Sequence, residues 1–523
     1  MTTNQAIARA GLVVTGAFLA ARLLGYIRTV IISSTFGAGP ELDAFLAAFR
    51  VPDLMFQLVA AGALSSALIP VLAGLLAEGA EARAWRVASS VGVVMLVALT
   101  ILSVGAWILA PVLVPIITPG FDEPTLALTV ELTRIMLLAP VLLGAGAVAT
   151  SILNTRHRFA AAALAPVSYN LAIVAATLLL APSLGVEGVA IGVVVGALAH
   201  VFVQLIPLRR VGFRVTLRPD TGDPAARRTF VLMGPRAIGL GAGQFALIAL
   251  TALASTVGPG AITAFTVAFT LLAIPLGLIG VPLGIVLLPA LSSQHAEGAV
   301  ADYVHLVSRS VRLLLFIMVP VAALGMVLAN EVVVVLFGYG DFSDEAVAAS
   351  AATLFVLLIG LPAHASIAVL ARAFYAAQDT RTPVIAALVA VAIDIVVGVV
   401  LVGPSGLTGL AVAVALGTWV EASLLLVILW RRVPGLEVVG VARTLLLSLA
   451  AAAVAALTAT IVRDLASAGP FDATTTLGAL AVAGLATAVG GVAFVGMSLV
   501  LRIHELPAAA TVLLGIARRP RRS

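Results

Sequence analysis

ARLLGYIRTVIISSTFGAGPELDAFLAAFRVPDLMFQLVAAGALSSALIPVLAGLLAEG, running from Ala21 to Gly79, is apolar over most of its length yet carries Arg22, Arg28 and Arg50 within it. Apolar stretches of about twenty residues are what a helix needs to cross a bilayer. They recur from the first ten residues almost to the end. The 523 residues are 62% hydrophobic and 10% charged with mean hydropathy +1.20, whereas a soluble domain carries about 25% charged residues. The composition predicts an all-α polytopic membrane protein with no segment left over for a sizeable soluble domain.

Apolar runs between charged or Pro/Gly breaks predict fourteen transmembrane helices, first at 8–32, 42–75, 88–117, 125–153, 159–181 and 187–207. The remainder fall at 229–256, 261–291, 306–337, 345–376, 383–403, 407–430, 442–462 and 476–501. Loops after even-numbered helices hold Arg83 with Arg86, Arg156 with Arg158, the run from Arg209 to Arg228, Arg381, and Arg431 with Arg432. The opposite loops hold Asp122, Glu123, Asp341, Asp344 and Glu345. By the positive-inside rule both termini are expected in the cytoplasm, and the tail arginines 518, 519, 521 and 522 agree with an even count. The N-terminal span reads as a retained first helix, since no small-residue cleavage site follows a short apolar core.

A repeat at a spacing of about 220 residues organises these helices. AFLAAFR at 44–50 matches AFTVAFT at 264–270, and LIPVLAGLLAEG ending at Gly79 matches LLPALSSQHAEG ending at Gly298. NTRHRF leading to SLGVEGVAIG corresponds to QDTRTP leading to PSGLTGLAVA. An offset of an even number of spans relates two lobes of like orientation by an axis along the membrane normal, with a substrate cleft expected between them. The expected division is an N-lobe at 1–210, a basic cytoplasmic linker at 211–228, a C-lobe at 229–432, and two extra helices with a basic tail at 433–523.

An arginine at the centre of a membrane helix costs about 2.5–3.5 kcal/mol even on lenient insertion scales. Guanidinium keeps its charge, so Arg22, Arg28 and Arg50 are expected to face a hydrated cavity or to be paired. Their forked donors suit phosphate and pyrophosphate, which makes the three an anion-site candidate. The plainer alternative is that Arg22 or Arg28 snorkels to an interface and that Arg50 pairs with Asp43 or Asp53. Asp394, alone amid AVAIDIVVGVV, is a candidate cation-coupling residue, by binding a cation or taking up a proton; the alternative is a protonated Asp hydrogen-bonded between helices. Its approximate repeat counterpart is Asn170. Arg236 and Arg372 are further cavity candidates, Glu131 with Arg134 reads as a structural pair, and His200 and His364 read as core histidines.

Other chemistries are excluded or disfavoured. The absence of Cys removes disulfides, thiolate metal sites and Cys nucleophiles. All 29 basic residues are Arg; the net charge of +5 sits in short loops between spans, so topology explains it better than nucleic-acid binding. No P-loop, GxSxG, HExxH or dinucleotide fingerprint occurs, so a transporter driven by a gradient, with Na+ or H+ as coupling cation and no other cofactor, is expected over an enzyme.

The run R-x-L-G-x-x-R at 22–28, F-G-A-G at 36–39, D-A-F-x-x-A-F-R-x-P at 43–52 and G-A-x-S-x-A-x-I-P-V at 62–71 resembles the N-terminal signature of the MurJ/MviN family. IPLGLIGVPLGIVLLPALS and the Thr382-Pro383 pair extend the resemblance across the chain. It implies a flippase for lipid II, the undecaprenyl-pyrophosphate-linked peptidoglycan precursor, in the multidrug/oligosaccharidyl-lipid/polysaccharide exporter superfamily with a MATE-like fold. It places the protein in the bacterial inner membrane, with cell-wall synthesis or division proteins as expected partners. The family's cavity arginines match Arg22, Arg28 and Arg50, and its sodium site partly on helix eleven matches Asp394; Asp43, Thr270 and Arg372 are candidate cavity-lining or gating residues of this chain. Two positions depart from the pattern. Thr29 stands where the family often has Asp, and Thr270 stands where it often has a cavity arginine, for which Arg236 is a candidate replacement. An exporter of another polyprenyl-linked saccharide, a drug antiporter on the same scaffold, and a scaffold protein or membrane glycosyltransferase are the competing functions.

Overall fold

The computed structural model describes residues 3–59, 63–216, 218–469 and 471–513; side chains at 3–15, 18, 59, 63, 235–240, 242, 512 and 513 are outside that description. The chain forms two compact units, Met1–Thr263 with Gly340–Phe342, and Ala264–Tyr339 with Ser343–Ser523.

The first unit contains α1 Thr3–Phe36, α2 Pro40–Ala48, α3 Arg50–Val59, α4 Ala63–Ala77, α5 Glu81–Ile117, α6 Glu123–Met136, α7 Ala139–Thr155, α8 Phe159–Arg210 and α9 Pro224–Ser255. The expected helix at 42–75 is interrupted by a turn at Phe49, between α2 and α3. Within the unit α8 packs on α1 and α7, while α9 packs on α3, α4 and α5. The basic linker does not hang free. Phe213 meets the Trp85 ring edge-on at 5.9 Å, Ser89 and Ser90 hydroxyls receive the N–H groups of Thr216 and Asp220, and Arg83 forks onto Asp223 at 2.9 and 3.0 Å. The hydrogen bonds from Arg83 are the main reason the Asp223 carboxyl is held below the usual range, and its Oδ1 also accepts from Ala225 N–H to start α9.

The second unit contains most of α10 Ala261–Pro275, a π-helical turn Leu276–Gly280, α11 Val281–Ala296, α12 Val300–Val327, α13 Ala329–Phe337, α14 Asp344–Ile359, α15 Leu361–Ala376, α16 Arg381–Arg432, α17 Val438–Ala468, α18 Thr476–Val500 and α19 Leu506–Leu513. Here α15 packs on α11, α12 and α16, and the two extra helices α17 and α18 pack on each other and on α12.

The repeat is explicit in the backbone. Helices α8 and α16 each run 52 residues, starting at 159 and 381 and ending at 210 and 432, a shift of 222. Each bends at one glycine, Gly185 at φ 59, ψ −144 and Gly406 at φ 54, ψ −138. Only glycine enters that region without steric strain, so a single residue joins the two expected helices where the sequence suggested a loop of several residues. The common register sets Asn170 opposite Ala392, and Asp394 lies at the level of Ala172, two positions from the expected pairing.

Among the described residues nine helices are long and apolar enough to cross a membrane, or ten if the pair α14 and α15, bent by 46°, counts as one span. The two 52-residue helices each hold two of the expected spans. Large apolar side chains such as Ile116, Leu179, Val396 and Leu477 are exposed. That exterior is stable in lipid and not in water, so the chain is a multi-pass membrane protein.

Candidate anion site

Arg28 lies six positions beyond Arg22 on α1, about 9 Å along the axis. Its Nη1 donates to Asn170 Oδ1 on α8 at 3.0 Å, and Asn170 Nδ2 donates to the carbonyls of Pro166 and Ala21. Gly25 faces the same amide, at a distance where a β-carbon would make only an ordinary contact of 3.8 Å. Arg50 opens α3 and its Nε donates to Thr251 Oγ1 on α9 at 2.9 Å. Asp53, three positions beyond Arg50 on α3, has a carboxyl that feels the charges of both Arg50 and Arg28 and is hydrogen-bonded by Gln57 and Gln244. The Arg28 charge also reaches Tyr169.

Four elements of the first unit thus bring two permanent cations, one carboxylate and a set of neutral amide and hydroxyl groups into one neighbourhood. Arg28 and Arg50 each donate to a neutral partner, and Asp53 is the carboxylate whose charge acts on them. Two guanidiniums against one carboxylate leave a net positive site in the membrane span. A site of that kind suits an oxyanion with several acceptor atoms. Thr251, Gln57 and Gln244 are site residues that the sequence reading does not single out, and Asn170 enters it only as the repeat counterpart of Asp394, although polar groups amid apolar helices are the available signal.

Arg22 is exposed and, among the described residues, has no carboxylate at ion-pair distance. The side chain of Arg236 is outside the described residues. Asp43, expected on a cavity wall or as a partner of Arg50, is fully buried. It accepts from Gly260 N–H at 2.7 Å, Thr263 N–H at 2.8 Å and Thr263 Oγ1 at 2.7 Å, in the part of α10 belonging to the first unit. Its capacity is used by a helix start, so it braces the backbone. Arg134 turns to Trp107, over whose ring it lies at 4.7 Å, and makes no ion pair with Glu131 among the described residues.

Thr270, Arg372 and Asp394 belong to the second unit. Thr270 hydrogen-bonds back to Thr266 O at 2.7 Å, as hydroxyls inside helices do. Arg372 lies across Gly284 of α11, where a β-carbon would meet its guanidinium at 2.6–2.7 Å, and donates to Ala368 O. The Asp394 Oδ1 is buried with no hydrogen-bond partner among the described residues and rests on Gly417, across the α16 bend. Glu421, one turn beyond Gly417, acts on Asp394, and Tyr375 feels both Arg372 and Glu421. His364 meets Thr418 at 3.1 Å, and His200 lies 3.5 Å from Gln204.

A helical membrane protein with an internal repeat, two helices outside it and half-buried arginines within its spans is a polytopic transporter with a MATE-like fold. Comparison with known proteins narrows the class. The family model described as "Lipid II flippase MurJ" matches residues 32–473. A relative from Rhizobium meliloti named "Probable lipid II flippase MurJ" is 33% identical over 451 residues, covering 84% of each chain. One from Burkholderia cenocepacia, "Lipid II flippase MurJ", is 32% identical over 414 residues, covering 76% of this chain and 80% of its own. The chain belongs to the MurJ family. Its fold is similar to that of a lipid II flippase MurJ in an inward closed conformation, with TM-score 0.77 at 19% identity, covering 92% of this chain and 98% of that one. It is also similar to an inward-facing multidrug resistance MATE family transporter of the MOP superfamily, with TM-score 0.67 at 19% identity and coverage of 80% and 95%.

Proposed function

We propose that this protein is a lipid II flippase of the bacterial inner membrane, with both termini in the cytoplasm, that exposes its substrate alternately to each side. Membership of a family named for that activity supports the transport reaction, and makes the chain a transporter and not an enzyme. The observation that carries the site is the placement of Arg28 and Arg50 around Asp53 with neutral partners Asn170 and Thr251. A diphosphate displaces amide and hydroxyl acceptors from a guanidinium more readily than it displaces a carboxylate, because no charge pair has to be broken.

In this reading Arg28 and Arg50 hold the pyrophosphate, with Arg22 and Arg236 as further cations, and the saccharide and polyprenyl portions stay outside their reach. Arg372 and Thr270 line or gate the path. Asp394 would hold the coupling cation, Na+ or H+, since its orphaned oxygen has acceptor capacity to spare. Cell-wall synthesis or division proteins are proposed as partners. A second reading, another polyprenyl-pyrophosphate saccharide, is favoured by Thr270, which brings no charge to a position where the family often has arginine.

Native mass spectrometry of the purified protein tests the site. Lipid II is expected to bind more tightly than polyprenyl-monophosphate lipids, and Arg28→Ala to erase the preference. Equal binding of mono- and diphosphate lipids would overturn the anion site, and tighter binding of another diphosphate saccharide would favour the second reading.

A further inference from the structure

Helices α12 and α17 and the turn between α18 and α19 enclose a pocket of about 200 Å³ lined by Arg312, Arg443, Thr444, Arg502, His504 and Glu505. Its one carboxylate, Glu505, and the nearby Glu437 are already committed. Arg312 pairs with Glu437 and, at 3.2 Å, with Glu505, which also accepts from Thr444 Oγ1 at 3.1 Å. Gly440 lets the Arg312 guanidinium lie close, as a β-carbon there would stand 2.9 Å from Nη1. Arg443 and Arg502 are exposed and have no carboxylate at ion-pair distance among the described residues.

Arg502 adds an independent observation. It has φ 52, and the bonds Arg502 N–H to Leu499 O and Ile503 N–H to Ser498 O form the paired closure that ends a helix with a left-handed residue. Glycine fits that position without strain; arginine does not. A strained residue points to a role for its side chain, and here the side chain lines a pocket with two other arginines. Beside the pocket, Val439, Leu446, Leu499 and Val500 are strongly exposed apolar residues, which only lipid chains cover favourably.

We infer that this pocket seats the phosphodiester of an anionic glycerophospholipid, with Arg443 and Arg502 on its oxygens, His504 beside them, and acyl chains along Leu446 and Leu499. Arg312 with Glu505 and Glu437 forms its floor, and Arg443 and Arg502 outweigh the one carboxylate charge that Arg312 leaves unbalanced, so the site stays net positive. Basic pockets between membrane helices bind anionic headgroups in this way, each arginine contributing about fivefold in affinity.

The test uses the full-length protein, delipidated in detergent, with phosphatidylglycerol, phosphatidylcholine of the same acyl chains, and inorganic phosphate. Phosphatidylglycerol is expected to bind more tightly than phosphatidylcholine and to resist competition by phosphate. Arg502→Gly relaxes the backbone while removing the charge, so it is expected to lower phosphatidylglycerol binding about fivefold with an unchanged or raised melting temperature. Arg443→Gln is expected to lower binding equally. Unaltered binding in Arg502→Gly, no preference between the two lipids, or displacement by phosphate would each overturn the inference.

Discussion

Arg28 on α1 donates to Asn170 on α8 at 3.0 Å, across 142 residues of chain, and so ties a permanent cation to a neutral amide inside the membrane. The amide fixes the fork without neutralising it. Arg28→Ala is therefore expected to abolish rescue of cells depleted of their own flippase while the protein remains at its normal level in the membrane. Arg28→Lys should rescue only in part, because an ammonium keeps the charge but loses the two-pronged geometry. Full rescue by Arg28→Ala would remove this residue from the substrate site.

Asp43 makes a different claim, on stability. Replacing it with Ala leaves the buried N–H groups of Gly260 and Thr263 without their acceptor, a loss of about 3 kcal/mol. Thr263→Val removes one hydroxyl donor and is expected to lose about 1 kcal/mol. Thermal unfolding in detergent should rank the two in that order, and an Asp43→Ala protein as stable as wild type would show that the brace is idle.

Hydropathy and the repeat make the helical architecture legible, because lipid tolerates only backbones whose hydrogen bonds close within the segment. The Arg28 and Arg50 pair is legible too, since an arginine in an apolar run needs a reason. Their partners are not. Asn170 and Thr251 stand 142 and 201 residues away, and no local pattern reports which distant polar group an arginine will meet. Asp43 reads in sequence as lining a cavity because an acidic residue near a membrane helix end has many uses; the Gly260 and Thr263 donors that absorb it are set by tertiary packing. The single-glycine bends at Gly185 and Gly406 are hidden because Pro182 and Pro404 beside them read as ordinary loop punctuation.

Asp394 and Gly417 form a contact that sequence spacing does not reveal, since they lie on opposite sides of the α16 bend. A β-carbon at 417 would fall 2.0 Å from Asp394 Oδ1, so Gly417→Ala must push the carboxylate aside. Asp394→Asn keeps the shape and removes the charge. Both are expected to lose cation-dependent transport in vesicles, and Asp394→Asn should do so with unchanged thermal stability. If Asp394→Asn retains the wild-type response to imposed Na+ and H+ gradients, the coupling cation is held elsewhere.

Asp379 gives a pH prediction outside the membrane-spanning segments. It sits before α16 and accepts from Arg381 N–H and Thr382 N–H at 3.0 Å each, from Thr382 Oγ1 at 2.6 Å and from Arg432 at 2.5 Å. Burial pushes its carboxyl up, but the Thr382 hydroxyl and N–H with Arg432 and Arg381 outweigh that and hold it at about 2, below the ordinary 3.8. A depressed folded value means that the unfolded chain takes the proton first, so the stabilisation is complete above 3.8 and is lost as pH falls toward about 2. The group is largely solvated, which limits the effect to about 1 kcal/mol. Wild-type melting in detergent should therefore decline through that acid window, while Asp379→Asn starts lower at neutral pH and declines less. An identical acid decline in both proteins would assign it to other carboxylates and leave the turn at Asp379 without a share in it.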